Sequence, residues 1–262
     1  MAAGGIIGWF GLTESDFGSN RSGMISMANE QADGSWVLNG AKMWITNGSQ
    51  AKVAIVWAKT NGEKSDKSIR GFIVPTNTPG FTAKDQKGKL SLRASDTSEL
   101  VFQDVRLPKD AILPKSGGIK SPLMCLTQAR YGISWGVIGA AMACYEEALD
   151  YSKSRVMFGK AIGGFQLQQQ RLAIMLTEIV KAQLVSLHLG RLKASGKITP
   201  QQVSFAKRNN CAIAPQVPRA ARRLLGATEL PADSVTRPHM RHIDVVHTAQ
   251  CAHGLQPCVH GM

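Results

Sequence analysis

The chain has 262 residues, of which 44% are hydrophobic, and a formal net charge of +13. This length supports one large domain or two modest ones with real cores, and the lack of a run of eighteen apolar residues argues against a membrane span. The five cysteines are widely spaced and odd in number, which argues against a disulfide framework and favours a reducing compartment.

The positive charge is dispersed. Lys and Arg are spread along the chain, and no basic run is interleaved with aromatic residues. A solvated charged surface is therefore the favoured interpretation, attraction of an anionic ligand comes second, and nucleic-acid binding comes third. We expect no nucleic-acid partner.

The first 112 residues have the pattern of a β-rich domain. Short apolar or alternating runs are separated by turn-forming residues, among them Asp33-Gly34, Asn39-Gly40 and Thr78-Pro79-Gly80. The runs predicted as strands are 26–32, 35–38, 41–46, 53–58, 69–75 and 98–107. Several short strands at this spacing indicate a small barrel or sandwich.

The period of the apolar residues becomes helical after the Pro-, Gly- and Lys-rich stretch 108–120. We place the domain boundary within this stretch, so that the domains are 1–112 and 113–262. Long helices are predicted at 122–154 and 165–194. Two helices of this length with short connections indicate a helical bundle, which makes the fold α+β.

Two further signals concern the later helices. Thr199, Pro200 and Gln202 follow the N-cap, N1 and N3 pattern of a capping box, which predicts the start of a third helix. After about residue 211 the sequence is atypical, because prolines stand where helices are expected and each is able to break one. These are Pro215, Pro218, Pro231, Pro238 and Pro257.

Two stretches stand out as a candidate ligand site, 9–20 and 42–48. The first starts as a short apolar strand and continues as a Gly- and Ser-punctuated loop with free backbone N–H groups. The second places Trp44 and Thr46 at a strand end, which offers a flat apolar face beside a hydroxyl group. Together they suit a planar heterocycle with a polar edge, although either alone is more typical of ordinary turn and core structure.

These stretches read F-G-L-T-E-x-x-x-G-S and W-I-T-N, and at this spacing they resemble the flavin-binding signature of the acyl-CoA dehydrogenases. Further segments continue the resemblance as far as about residue 211, and they are most similar to the glutaryl-CoA dehydrogenase branch of that family. These segments are 88–95, 129–137, 175–179, 189–193 and 207–211.

The resemblance implies the middle β-domain and the C-terminal helical bundle of that fold, without its N-terminal helical domain. It also implies FAD as cofactor, an acyl-CoA as substrate, an electron-transfer flavoprotein as electron acceptor and a homotetramer. The expected compartment is the bacterial cytoplasm or the mitochondrial matrix. The implied reaction is α,β-dehydrogenation, in which a carboxylate removes the α-proton and flavin N5 receives the β-hydrogen as hydride. In the glutaryl branch, decarboxylation to crotonyl-CoA follows.

Residue by residue, the resemblance assigns two sets of contacts. The expected FAD contacts are Phe10, Leu12, Thr13, Gly18, Ser19, Trp44, Ile45, Thr46, Arg155, Phe158 and Gln166. The expected substrate contacts are Ser19, Thr127, Arg130, Tyr131 and Ser134. In the family, the arginine at the position of Arg155 meets the FAD pyrophosphate across a subunit boundary, through bonds suited to phosphate.

The C-terminal tail departs from the family pattern. Gln250 occupies the position of the catalytic glutamate, and a neutral amide cannot accept the α-proton. Glu229 replaces a glycine of the Gly-rich segment that approaches FAD. Two explanations stay open: a diverged or artefactual tail, and a new metal site. The candidate ligands are His247, Cys251, His253, Cys258 and His260; their spacing is not that of structural zinc sites, so we predict no metal.

The departures also leave the function open between three alternatives. The first is a glutaryl-CoA dehydrogenase, the second is an acyl-CoA dehydrogenase with another acyl preference that uses a different carboxylate, and the third is a pseudoenzyme that binds FAD or acyl-CoA without turnover. For the second alternative, Glu229 and Asp244 are the nearest carboxylates in the sequence.

Overall fold

The computed structural model describes residues 2–62, 65–229 and 234–246. The chain divides into two compact units, Met1–Cys125 and Leu126–Met262, so the division falls later than the predicted boundary at residue 112. The connection remains with the first unit because its backbone is bonded to it. Gly118 N–H donates to Ile69 O and Ile119 N–H donates to Asp66 O, both at 3.0 Å.

The first unit contains a seven-stranded mixed sheet. Its strands are β1 (Gly8–Gly11), β2 (Met27–Glu30), β3 (Trp36–Thr46), β4 (Val53–Thr60), β5 (Arg70–Pro75), β6 (Phe81–Asp85) and β7 (Thr97–Leu107). Strand β4 pairs in parallel with β1 along its first half and with β2 at its end, so it joins the two halves of the sheet. Strand β3 pairs with β2 and β7, and β6 lies beside β7.

Aromatic side chains dominate the core of this unit. The rings of Trp9 and Phe81 lie 6.0 Å apart, those of Phe81 and Phe102 lie 5.5 Å apart, and Trp36 packs edge-on against Phe72 at 5.2 Å. Large buried rings of this kind supply much of the apolar burial that stabilises a small β-unit. The strand β1 that leads to the candidate ligand loop is thereby anchored through Trp9.

One predicted turn is wrong, because Asn39 and Gly40 lie inside the continuous strand β3. The register with β7 shifts between Leu38 and Gly40, and Gly40 has a φ of 144°. A Cβ atom at Gly40 would lie 2.7 Å from Ser26 Cα. The glycine therefore permits a bulge and a close backbone approach rather than a hairpin turn. The turn at Gly34 is confirmed, with Gln31 N–H donating to Ser35 O at 2.8 Å.

The second unit is helical. Its elements are α1 (Lys120–Ser154), which starts in the first unit, then the short hairpin β8 (Val156–Met157) and β9 (Lys160–Ala161), α2 (Gln166–Ala194), α3 (Pro200–Ile213), α4 (Gln216–Leu225) and α5 (Thr236–Val246). Small buried residues on α1, such as Ala141, Cys144 and Ala148, let it pack closely in the bundle core. Burial raises the pKa of the Cys144 thiol to about 12, so this cysteine is inert.

The capping box is confirmed. Gln202 N–H donates to Thr199 Oγ1 at 3.3 Å, and Thr199 N–H donates to Gln202 Oε1 at 2.8 Å. The prediction that prolines interrupt the later helices is confirmed at Pro215, which lies in the break between α3 and α4, and is wrong for Pro218 and Pro238. Pro215 stands just before α4, and Pro218 and Pro238 are the third residues of α4 and α5, where a backbone N–H has no intrahelical acceptor. Pro231 and Pro257 lie outside the described residues.

Helix α2 is apolar on more than one face. Among the described helices, α2 is the one long and apolar enough to cross a membrane, judged by length and composition only. Its most apolar 18-residue segment has a mean hydropathy of 1.5, and 28% of that segment is buried. Its buried residues, including Met175, Ile179 and Ala182, belong to the bundle core. We therefore assign α2 to the bundle, and its other face carries exposed apolar side chains. These are Leu167, Ile174, Leu176, Val180, Leu184 and Leu187.

Candidate functional site

The loop that follows β1 is held at its base and exposed in its middle. Leu12 is buried and Thr13 is half-buried, whereas Gly18 and Ser19 are exposed. Met43 N–H donates to Thr13 O at 2.9 Å, which brings the start of the loop against β3 immediately before Trp44. Phe10, on β1, is half-buried and its ring lies 6.0 Å from that of Trp57. The buried Leu12 presents no side chain to a ligand, and its carbonyl oxygen accepts from Lys42 Nζ at 3.3 Å.

Trp44 is the main accessible aromatic of this half of the site. It has a φ of 62°, its side chain is 62% exposed, and the register of β3 with β7 is irregular between Lys42 and Ile45. A bulky residue held in the left-handed region costs about 1–3 kcal/mol, and such residues cluster at ligand sites. Thr46 is also exposed, whereas Ile45 is buried.

An ion pair that the sequence analysis missed lies beneath this loop. Lys42 Nζ is 2.8 Å from Glu14 Oε1, and both side chains are buried. Burial lowers the pKa of Lys42 to about 8, against the opposing effect of Glu14. For Glu14, burial acts to raise the pKa, but Lys42 and the hydrogen bonds from Ser26 and Ile25 outweigh it and lower the pKa. A lysine between the apolar residues Ala41 and Met43 of a strand was the available signal.

The predicted substrate contacts lie along the first half of α1. Arg130 is buried. Lys193 Nζ lies over the ring of Tyr131, 4.0 Å from the ring centroid. Ser134 is a correction: it is fully buried and its hydroxyl donates to Tyr131 O at 2.7 Å. Its carbonyl oxygen accepts from Asn210 Nδ2 at 2.9 Å. Ser134 thus ties helices together and presents no group to a ligand, while Thr127 is half-buried.

The remaining predicted FAD contacts lie at the other end of α1. Arg155 is exposed directly after α1, and Gln166 is exposed at the start of α2. Between them, Phe158 and Gly159 have φ values of 52° and 78°, which make the two-residue turn of the β8–β9 hairpin. Phe158 is 92% exposed at its tip. At 1.5 Å per residue, Arg155 lies roughly 30 Å along α1 from Ser134.

The tail residues lie outside the described part of the chain. This applies to Gln250 and to the candidate metal ligands from His247 onward, and the side chain of Glu229 is not described. Within the described ranges, no group of three or more His, Cys, Asp or Glu side chains is placed to hold a metal ion. The assignment of Gln250 to the base position and the expectation of no metal remain predictions.

Comparison with known proteins covers both units. Residues 9–105 match the acyl-CoA dehydrogenase middle domain and residues 116–249 match the acyl-CoA dehydrogenase C-terminal domain. The short-chain specific acyl-CoA dehydrogenase of Megasphaera elsdenii is 34% identical over 262 residues, which are 100% of this chain and 68% of that protein. The chain spans 58% of the length of another curated relative.

Two solved structures are also similar. The glutaryl-CoA dehydrogenase of Mycobacterium smegmatis superposes with a TM-score of 0.94 at 48% identity, over 99% of this chain and 66% of that one. A glutaryl-CoA dehydrogenase of the same organism in complex with FADH2 matches with a TM-score of 0.94 at 45% identity, with the same coverage.

Proposed function

Because the chain belongs to the acyl-CoA dehydrogenase family, we propose that it provides the flavin- and thioester-binding parts of a FAD-dependent acyl-CoA dehydrogenase. The observation that carries the proposal is Trp44, an exposed aromatic in the left-handed region beside an exposed, Gly-containing loop. This pair of features lies within the part of the chain that matches the family's middle domain.

The residues of the first unit fit a flavin. The ring of Trp44 offers a flat apolar face, Thr46 offers a hydroxyl group, and the loop around Gly18 and Ser19 is exposed with backbone N–H groups to offer. When bound, FAD supplies the acceptor for the β-hydrogen of the acyl chain. The chain's own part is to orient the ring system and to donate hydrogen bonds to its polar edge.

Glutaryl-CoA is the proposed substrate, with oxidative decarboxylation to crotonyl-CoA as the proposed reaction. The 48% identity with the glutaryl-CoA dehydrogenase of Mycobacterium smegmatis supports it. The 34% identity with a short-chain specific enzyme supports the alternative of another acyl preference. Turnover of butyryl-CoA in the absence of glutaryl-CoA turnover would favour that alternative.

Gln250 determines whether this polypeptide carries out the chemistry. Its amide cannot remove the α-proton, so a chain with no other base would bind FAD and thioester without turnover. Among the other candidates, the side chain of Asp244 is exposed and already paired with Arg219 at 3.1 Å. A non-catalytic flavin- or acyl-CoA-binding protein is therefore the second proposal, and FAD retention without turnover, unrestored by Gln250→Glu, would favour it.

The second unit supports the proposal of a homotetramer. Helix α2 exposes an apolar face, and α2 and α3 together line a groove of about 560 Å³ that includes Leu184, His188 and Phe205. The predicted thioester contact Arg130 lies in the first half of α1 and the predicted FAD contact Arg155 directly follows its last residue, as expected if each FAD is shared between two subunits. An electron-transfer flavoprotein as acceptor, and a bacterial cytoplasmic or mitochondrial matrix location, stay predictions.

The proposal is tested by the visible absorption spectrum of the purified chain reconstituted with FAD, recorded anaerobically before and after adding glutaryl-CoA or butyryl-CoA. Bleaching by glutaryl-CoA supports the proposed enzyme, and bleaching by butyryl-CoA alone supports the alternative substrate. A bound flavin that never bleaches, in both the natural chain and Gln250→Glu, supports the non-catalytic protein. Lack of any bound flavin contradicts both enzymes and the flavin-binding form of the non-catalytic protein.

A further inference from the structure

Glu14 and Lys42 form a buried hydrogen-bonded cluster at the base of the flavin loop. The Glu14 carboxylate accepts from Lys42 Nζ at 2.8 Å, from Ile25 N–H at 2.7 Å and from Ser26 N–H at 3.0 Å. Lys42 Nζ also donates to Leu12 O at 3.3 Å. One carboxylate and one ammonium group thus gather the first and last residues of the loop onto the centre of β3.

The cluster links the two parts of the proposed flavin site. The loop between Leu12 and Ser26 contains Gly18 and Ser19, and Lys42 lies two residues before Trp44 on β3. The bond from Met43 N–H to Thr13 O, at 2.9 Å, lies next to the ion pair. A shift of either charged side chain would therefore move the loop relative to Trp44.

Stability alone gives little reason for such a pair. Removing two charges from water is costly, and a buried ion pair can often be replaced by uncharged residues of similar volume with no loss of stability. Fixed donors and acceptors do, however, impose one geometry on the backbone groups that they contact. The groups joined by these four hydrogen bonds all belong to the loop base or to β3.

We propose that Glu14 and Lys42 are positioning residues that fix the flavin loop against Trp44. This inference rests on the proposed function for its ligand, FAD. It concerns geometry, since neither side chain is exposed to contact a ligand. The pair affects both the stability of the first unit and the alignment of its flavin-binding parts. A single substitution changes both at once, so the two effects have to be measured separately.

The test uses the full chain and the double variant Glu14→Gln/Lys42→Met, beside both single variants. Each single variant leaves one buried charge unpaired, so we expect a lower melting temperature. The double variant removes both charges, and we expect its melting temperature to recover. FAD affinity, measured by titration, is expected to stay about tenfold or more below that of the natural chain, because small misplacements of binding groups have effects of this size.

Hydrogen exchange in the cofactor-free chain provides an independent readout. The amides of Ile25, Ser26 and Met43 are expected to exchange faster in the double variant than in the natural chain, because the carboxylate no longer holds the loop base. Glu14→Asp keeps the charge but withdraws the acceptor by one methylene, so it is expected to weaken FAD binding even if the double variant does not fold. The pair formed by half-buried Glu178 and exposed Lys181 on α2, 2.8 Å apart, gives the control Glu178→Gln/Lys181→Met, for which we expect no change.

Three results would overturn the inference. The first is recovery of FAD affinity together with stability in the double variant, and the second is natural FAD affinity in Glu14→Asp. The third is unchanged exchange of the three amides. If the natural chain binds no FAD, the proposed function fails, and the exchange result alone then decides whether the ion pair holds the loop.

Discussion

Asn210 Nδ2 on α3 donates a hydrogen bond to the carbonyl oxygen of Ser134 on α1 at 2.9 Å. The same amide group reaches Ser186 Oγ on α2 at 2.9 Å, and both serines are fully buried. Ser186 Oγ also donates to Ser134 O at 3.3 Å. One side chain thus connects three helices of the second unit, at the level of α1 where the sequence predicted a substrate contact.

Asn210→Ala is expected to destabilise the second unit by about 2 kcal/mol, because it leaves a buried carbonyl and hydroxyl with fewer partners. The measurement is urea unfolding, read as a shift of the midpoint at constant slope. Arg208→Ala, an exposed change on the same helix, is the control and should lie within about 0.5 kcal/mol of the natural chain. Equal stability of the two variants would contradict the three-helix role of Asn210.

Gly40→Ala is expected to destabilise the first unit by more than Gly34→Ala. Both glycines have positive φ values, 144° and 80°, which glycine adopts readily and an alanine adopts only with strain. The Cβ at Gly34 meets the flexible end of Lys109 at 3.1 Å, whereas the Cβ at Gly40 lies 2.7 Å from backbone of Ser26. Thermal unfolding of the two variants compares them directly. A smaller effect at Gly40 would contradict the close approach of Ser26 to β3.

The pKa of Lys42 predicts a pH dependence of stability with a definite sign. Its folded pKa of about 8 lies below the ordinary 10.5, so between these pH values the unfolded chain binds more protons than the folded one. Stability due to Lys42 must therefore rise as the pH rises from about 8 to 10.5. At 1.36 kcal/mol per pH unit, the full gain is roughly 3 kcal/mol.

The measurement is the difference in free energy of unfolding between the natural chain and Glu14→Gln/Lys42→Met, from pH 7.5 to 10.5. Glu14 remains charged throughout this range, since its pKa is lowered from 4.5, and the other titrating groups are common to both proteins. We expect the difference to shift in favour of the natural chain. A difference that stays constant, or that shifts the other way, would contradict the burial of the Lys42 ammonium.

Much of the fold follows from local sequence signals, and its exceptions have physical causes. The capping box at Thr199 and the two long helices could be predicted because they depend on residues close together in the sequence. The turn predicted at Gly40 was wrong because the glycine is needed for close packing against Ser26. These residues are fourteen positions apart in the chain, so the contact cannot be inferred from the residues next to Gly40. Strand β6 went unpredicted because it is a mostly exposed edge strand beside β7.

The candidate site was predictable in part. The motifs around Phe10 and Trp44 located the loop and the exposed aromatic, but the bulge that turns Trp44 outward depends on the register with β7. The pairing of Glu14 with Lys42 was not predictable from spacing, because the two residues meet only when the loop folds back on β3. Ser134 was misassigned because its burial depends on α2 and α3 rather than on its own helix.

The central claim is that the first unit carries a flavin site centred on Trp44. The most direct test is equilibrium titration of the purified chain with FAD, followed by flavin fluorescence, for the natural protein, Trp44→Leu and the control Ile73→Ala, an exposed apolar residue on β5. Stacking of a heterocycle on an aromatic ring contributes about 1–3 kcal/mol. We predict saturable binding, weakened about tenfold or more in Trp44→Leu and unchanged in Ile73→Ala. Absence of FAD binding by the natural chain, or equal affinity in Trp44→Leu, would contradict the claim.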